Sequence, residues 1–251
     1  MNYSAPLIEG RLIRRYKRFL TDIMVDGKRM TVLCPNTGSM DGLTDEGNPV
    51  RISGPYSVER KYPYTLEQIE IKRPDGRKIW VGVNTAIPNK LVEESALAKR
   101  LPGFEKYSIV RREVKISDHS RIDLLLEGEG LPKCWIEVKN VTLVLRDPNF
   151  KSKFLNEGNI AAFPDAKTTR GSKHLRELTQ KVYEGDRAAM VYVIQRSDGE
   201  KFSPAYGYDP DYAVVFRSAI ADGVEIVPLS ANVTKDGVSL QGYKLPFNID
   251  I

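Results

Sequence analysis

Ser120-Arg121-Ile122-Asp123-Leu124-Leu125-Leu126-Glu127-Gly128-Glu129-Gly130-Leu131-Pro132-Lys133-Cys134-Trp135-Ile136-Glu137-Val138-Lys139-Asn140 holds two short apolar runs on either side of a Gly- and Pro-rich centre. That pattern predicts two antiparallel strands joined by a tight connection. Side chains alternate between the faces of a strand. Ile122, Leu124 and Leu126 are therefore expected on one face with Asp123 on the other, and Ile136 and Val138 are set against Trp135, Glu137 and Lys139. Centring the hairpin on Gly130 brings Asp123 opposite Glu137. Opposed carboxylates repel and weaken a strand pair, and a divalent cation between them relieves the repulsion. The competing reading is an exposed strand whose alternating charges form a solvated face.

The composition limits which functions remain. A chain of 251 residues, 41% hydrophobic and 28% charged, is an ordinary globular composition with room for one large or two modest domains. The net charge of +5 and pI near 9.0 favour an anionic partner. Cys34 and Cys134 are the only cysteines and lie far apart, which excludes a disulfide framework and a zinc site and fits a reducing cytoplasm. No apolar run approaches membrane-spanning length, and no signal-like segment precedes Arg11. With two histidines in all, a metal centre must be built mainly from oxygen donors, which selects Mg²⁺ or Mn²⁺ over Zn²⁺.

Residues 1–84 read as short strands, over Leu7 to Leu20, Lys28 to Cys34, Val50 to Val58, Thr65 to Ile71 and Lys78 to Val83, separated by Gly/Pro/Asn/Asp turns. A five-stranded OB-like barrel is the fold this predicts. Basic and aromatic residues interleave at Arg14-Arg15-Tyr16-Lys17-Arg18-Phe19 and Arg60-Lys61-Tyr62-Pro63-Tyr64. Arg15, Lys17, Arg18, Lys61 and Tyr62 are thus candidates for gripping phosphates and stacking bases; the bland alternative is a solvated strand with its aromatics in the core. The loop Cys34-Pro35-Asn36-Thr37-Gly38-Ser39-Met40 reads either as an anion-binding nest using Asn36 and Thr37 or as a plain turn.

From Thr85 to Ile251 helices and strands alternate, which predicts a second domain, a mixed sheet flanked by helices in an α+β protein. Asn89 is a candidate cap for a helix ending near Leu101, with Leu91, Leu97, Ala98 and Leu101 as its apolar stripe and Glu94 in the middle of it. A carboxylate facing a core is paired, protonated or bound to metal, so Glu94 is a further candidate ligand, or else half of a buried ion pair. The segment from Arg146 to Asn159 reads as a basic surface loop. Ser172 is a candidate cap for a helix to Gly185, placing Arg170, Lys173 and His174 at an N-terminus that favours phosphate. Ala188 to Ile194 reads as a central strand, and Gln195 at its end is a candidate for orienting substrate. A helix over Asp209 to Asp222, a strand over Val224 to Leu229 and a terminal hairpin or tail complete the chain.

Asp, a spacer, then Glu-Val-Lys resembles the PD-(D/E)XK nuclease superfamily. More specifically, Arg15-Tyr16-Lys17-Arg18-Phe19-Leu20, Cys34-Pro35-Asn36-Thr37-Gly38, Lys61-Tyr62-Pro63, Ser120-Arg121-Ile122-Asp123, Ile136-Glu137-Val138-Lys139, Val141-Thr142-Leu143, Phe163-Pro164-Asp165-Ala166 and Arg170 to Leu178 together resemble the sugar fermentation stimulation protein A family. The resemblance implies an OB-like N-terminal domain, a PD-(D/E)XK nuclease-like C-terminal domain and DNA binding without strong sequence preference. It also implies carboxylates of Asp123 and Glu137, assisted by Glu94 and the carbonyl between Glu137 and Lys139, holding Mg²⁺ or Mn²⁺, with Lys139 beside the scissile phosphate. Some members are described as regulators of sugar metabolism, notably maltose, so a DNA-binding regulator that hydrolyses nothing is the alternative. Asn140 departs from the small hydroxyl residue expected there, and the Arg146 to Asn159 segment is longer than expected.

Overall fold

The structure, a computed structural model, describes residues 1–56, 60–73, 76–145 and 159–247. The segment from Arg146 to Asn159, Asn159 apart, lies outside these described residues.

Strands β1 (Ile8–Tyr16), β2 (Leu20–Val25), β3 (Lys28–Leu33), β4 (Pro49–Ser53) and β5 (Thr65–Lys72) form a ring. β1 pairs with β2 and β4, β2 with β3, β4 with β5, and the parallel pair Leu33–Thr65 joins β3 to β5. β6 (Lys78–Gly82) extends the sheet beyond β5. Alternation sends Leu12, Ile23, Val32, Val50, Ile52, Leu66 and Ile69 inward, where they are fully buried. Each contributes roughly 1.5–3 kcal/mol of hydrophobic stabilisation.

The strand expected over Leu7 to Leu20 ends instead at Tyr16. Lys17 and Arg18 take left-handed backbone conformations, with φ of 49° and 63°, and the chain returns as β2, a strand that the sequence reading does not contain. The turn lacks Gly, Asn, Asp and Pro, the residues that ordinarily announce one. Its geometry is held by Arg15, whose Nε and Nη2 donate to the Arg18 carbonyl at 3.1 and 2.7 Å.

Asp22 of β2 is buried among cationic and hydroxyl donors: Arg14 Nε at 3.0 Å, Arg29 Nη2 at 2.5 Å, Thr31 Oγ1 at 2.7 Å and Tyr16 OH at 3.2 Å. Desolvation alone would raise this carboxyl, but hydrogen bonds from Thr31, Arg29 and Arg14 outweigh it and hold the group well below the usual carboxylate range. The unfolded chain then binds the proton more readily, so the stabilisation is complete above the unfolded pKa of about 3.9 and is lost as pH falls from there toward the folded value. Asp22→Asn is expected to flatten the stability–pH curve in that acid window and to cost about 1–2 kcal/mol at neutral pH, since both arginines are more than half exposed. Urea unfolding midpoints measured from pH 2 to 7 check both points.

After the barrel come α1 (Ile87–Leu97), β7 (Ile109–Ser117), β8 (Ser120–Glu127), β9 (Cys134–Val141), β10 (Leu143–Leu145), β11 (Ile160–Phe163), α2 (Thr169–Tyr183), β12 (Arg187–Ile194), β13 (Lys201–Pro204), α3 (Pro210–Ala221), β14 (Glu225–Val233) and β15 (Val238–Lys244). The main sheet has the order β15-β14-β12-β9-β8-β7, with β9, β12 and β14 parallel and the outer pairs antiparallel. β10, β11 and β13 make a small second sheet. Leu91, Val92, Leu124, Leu126, Ile136, Val191 and Val193 pack under α1 on one face. Leu125, Trp135, Leu175, Leu178, Met190, Tyr192, Tyr212 and Phe216 pack under α2 and α3 on the other. Burial on both faces explains why β12 reads as an unbroken apolar run.

Two helix starts differ from expectation. α1 begins at Ile87, with Pro88 in its first turn, where the missing N–H costs nothing. The buried positions become Ile87, Pro88, Leu91, Val92 and Ala96, and Leu97, assigned to the stripe from an Asn89 cap, is 61% exposed. α2 is capped by Thr168, whose Oγ1 accepts from Gly171 N at 3.0 Å, and Ser172 lies buried in the first turn. Asp209 caps α3 by accepting from Tyr212 N at 3.1 Å, while its other oxygen accepts from Thr168 N at 2.8 Å, tying the starts of the two helices together.

Candidate active site

The β8–β9 ladder pairs Leu126 with Cys134, Leu125 with Trp135 and Leu124 with Ile136, a register centred on Gly130. It stops there. At the next position the Asp123 carboxylate takes the place of a backbone partner, Oδ2 accepting from Val138 N at 2.8 Å. On the other side the β7–β8 ladder pairs Arg112 with Leu124 and Val114 with Ile122 but leaves Glu113 and Asp123 between them unpaired. Glu113 is left-handed, φ 51°, and Arg121 Nη1 donates to its carbonyl at 2.9 Å. This irregularity shifts the alternation by one: Leu124 and Leu126 pack under α1, whereas Ile122 and Val114 pack with the α2 cluster. The expectation that Ile122 shares a face with Leu124 and Leu126 is therefore corrected, because regular period-2 alternation holds only where the ladder is continuous. Asp123 stands at this break, its Oδ1 accepting from Asn89 Nδ2 of α1 at 2.7 Å while it also lines a cleft with the start of α2.

Glu137 and Lys139 point from β9 toward α2. Lys139 Nζ donates to Glu137 Oε1 at 2.5 Å, and His174 Nδ1 hydrogen-bonds the same oxygen. Glu137 Oε2 is buried and has no hydrogen-bond partner among the described residues. Burial first, then the negative charge of Glu137, push the Asp123 carboxyl up to about 6, against the opposing pull of Val138 N–H, Lys139 and Asn89. Burial would raise Glu137 as well, but the His174 hydrogen bond and the Lys139 charge overcome it and hold Glu137 below its ordinary value. Of two neighbouring carboxyls, one is thus held below its ordinary range and the other pushed above it.

Asp123 and His174, the partner of Glu137, line a cleft of about 970 Å³. One wall is the tip of the β7–β8 hairpin with Lys115, Ser117, His119 and Arg121; the other is the start of α2 with Thr169, Arg170, Lys173 and His174; Asp123 lies between. Glu177 joins the walls, accepting from Ser117 Oγ at 2.7 Å while Lys173 lies 3.6 Å from it.

Several residues singled out from sequence stand elsewhere. Glu94 is not part of the site: its carboxylate meets the Met1 ammonium at 3.0 Å and is 54% exposed, because the buried stripe of α1 runs through Ile87, Pro88, Leu91, Val92 and Ala96 and the helix ends at Leu97, short of Ala98 and Leu101. Gln195 is fully buried, its side-chain amide donating to Asn140 Oδ1 at 2.7 Å and the Asn84 carbonyl at 3.2 Å while its main-chain carbonyl accepts from Gly82 N at 2.8 Å, so it joins barrel to sheet instead of orienting a substrate. Arg15, besides Arg18, donates to the carbonyls of Asn36, Gly38 and Ser39, which makes it a loop staple and not a free phosphate grip. The 34–40 loop does face an anion, the chain's own Asp165, whose Oδ2 accepts from Met40 N at 3.0 Å. A side chain at Gly38 would collide with that carboxylate. Asn36 is buried, its Oδ1 accepting from Gly38 N at 2.8 Å, while Thr37 is exposed. Lys17 and Arg18 are exposed at a hairpin tip, and Lys61 lies over the Tyr62 ring at 5.7 Å. His174, expected at a phosphate-facing surface, is buried against Glu137. Asn89 is the site residue that sequence missed, since a helix-cap reading already accounted for it.

Comparison with known proteins gives these residues a setting. The family described as "Sugar fermentation stimulation protein RE domain" matches residues 86–237, and "SfsA N-terminal OB domain" matches 13–83. Sugar fermentation stimulation protein homologs from Paramagnetospirillum magneticum and Geobacter metallireducens are 44% and 45% identical, each over 96% of this chain and over 95% and 97% of their own lengths. The chain belongs to the sugar fermentation stimulation protein family. A solved structure of Pyrococcus furiosus SfsA in complex with Ca²⁺ superposes with a TM-score of 0.82 at 25% identity, covering 99% of this chain and 98% of that one. Within the family's RE-domain match lie Asn89, Asp123, Glu137, Lys139 and His174 together; the OB-domain match holds Arg15, Asn36, Lys61 and Tyr62.

Proposed function

We propose that this member of the sugar fermentation stimulation family binds DNA without strong sequence preference and hydrolyses phosphodiester bonds with Mg²⁺ or Mn²⁺. The observation that carries the reading is the buried Glu137 Oε2, without a hydrogen-bond partner among the described residues, with the Asp123 carboxyl and Lys139 as its charged neighbours. Hard oxygen donors of this kind fit a hard divalent cation, and a relative of the same fold has been solved in complex with Ca²⁺. Asp123 and Glu137 would hold the ion. When bound, it supplies a Lewis acid for the phosphoryl oxygen and acidifies a water. Lys139 Nζ stabilises the negative charge that develops on the phosphoryl group. Arg170 and Lys173 at the start of α2, with Lys115 and Arg121 opposite, hold neighbouring phosphates, and exposed Lys17, Arg18 and Lys61 extend the basic surface on the barrel. Both cysteines are free and buried, as suits a reducing cytoplasm. No helix among the described residues is long and apolar enough to cross a membrane.

A second reading, a DNA-binding regulator of sugar metabolism without hydrolysis, is favoured by one fact. Among the described residues no three His, Cys, Asp or Glu side chains gather as a metal-holding group. Incubating the protein with circular and linear, single- and double-stranded DNA in Mg²⁺, Mn²⁺ or EDTA separates the two: cleavage that requires metal supports the enzyme, and binding without cleavage under every condition removes it. Either way the affinity for DNA is expected to fall steeply with salt, roughly 10³-fold between 50 and 200 mM for about six phosphate contacts. Fluorescence anisotropy titrations check this, and a flat response would contradict the phosphate contacts.

A further inference from the structure

We propose that His174 is a positioning residue that holds Glu137 for the cation, not a phosphate contact. This rests on the metal-dependent reading above and assigns a new role within it. His174 is buried on the first turns of α2, and its two ring nitrogens are engaged from opposite sides. Arg170 Nε, one turn earlier, approaches Nε2 at 3.4 Å. Lys139 Nζ lies 3.3 Å from Nδ1, and Nδ1 also meets Glu137 Oε1; a carboxylate oxygen only accepts, so the ring proton facing Glu137 stands on Nδ1. Lys139 Nζ reaches the same oxygen at 2.5 Å. Two donors converging on Oε1 fix the carboxylate plane and leave Oε2, buried and unpartnered, as the oxygen that can face an ion. Asp123 is treated in parallel, its Oδ1 held by Asn89 from α1. Each carboxylate is thus oriented by one helix-borne donor, and outer partners of this kind commonly govern metal affinity by 10- to 100-fold.

The two amide replacements of histidine separate orientation from packing. Asparagine places its amide near the position of Nδ1, which faces Glu137, whereas glutamine places it near Nε2, which faces Arg170. Isothermal titration of the full chain with Mn²⁺, without DNA, is expected to show His174→Asn within about threefold of wild type and His174→Gln and His174→Ala weaker by about 10- to 100-fold. DNA affinity in EDTA is expected to be the same for all variants, with thermal melts confirming that each is folded. If the alanine variant does not fold, the asparagine–glutamine pair decides alone. Equal Mn²⁺ affinity in those two, or a loss of DNA affinity in EDTA with Mn²⁺ binding intact, overturns the assignment. Wild-type protein that binds no Mn²⁺ removes the metal reading along with it; a wild type and Glu137→Gln pair that differ in Mn²⁺ affinity, with His174→Gln unchanged, removes this assignment alone.

Discussion

Lys139→Ala is expected to lower the rate of metal-dependent DNA cleavage by about 10²–10³-fold, the range seen when one preorganised donor to a developing anion is removed. Lys139 is suited to that task because its side chain is only 14% exposed and is aimed by β9 at Glu137 Oε1. In a water-poor setting a fixed charge acts more strongly than the same charge in solution. The substitution leaves Asp123 bound to Val138 N and Asn89, and leaves His174 on Glu137, so the carboxylates keep their principal supports. DNA affinity in EDTA should therefore change little while single-turnover cleavage collapses. A variant that cleaves at the wild-type rate would show that the ammonium serves only to neutralise Glu137.

The largest expected effect on stability lies away from the cleft. Arg196 is 2% exposed, donating to Asp198 at 2.5 and 2.8 Å and to the Thr142 carbonyl at 2.6 Å; Arg73 of the barrel lies 3.9 Å from the same carboxylate. Asp198→Ala deletes the counter-charge and leaves a guanidinium buried with little compensation, which costs about 3–5 kcal/mol in comparable sites. Chemical denaturation followed by far-UV circular dichroism should show that loss in full. Replacing the pair together by apolar residues of similar volume should cost much less, because the penalty comes from stranding one charge, not from losing the attraction.

The barrel and the central sheet were legible because their signals are local. Alternation in Lys28 to Cys34, the apolar run of β12 and the Asp209 cap of α3 each need only neighbouring residues to be understood. The register of the β8–β9 hairpin followed from its turn in the same way. What escaped depends on contacts distant in sequence. β2 was merged into β1 because the turn at Lys17–Arg18 is held by an arginine side chain and carries no turn residue of its own. Glu94 reads as core-facing only if Leu97, Ala98 and Leu101 carry the apolar stripe, whereas α1 ends at Leu97 and buries Ile87, Pro88, Leu91, Val92 and Ala96. Asn89 and His174 reach the carboxylates from two helices 34 and 37 residues away along the chain, and no spacing rule could have paired them. The 34–40 loop had the chemistry of an anion nest, but only the fold could show that Asp165 fills it.

The missing rungs at Glu113 and Asp123 have a mechanical meaning. Beyond them the hairpin tip is turned over relative to its own stem, so that Val114 and Ile122 seat it beside α2. A straight ribbon would have continued past the carboxylates as a flat wall. The hollow between the hairpin tip and α2 thus originates in main-chain geometry as much as in the side chains that line it.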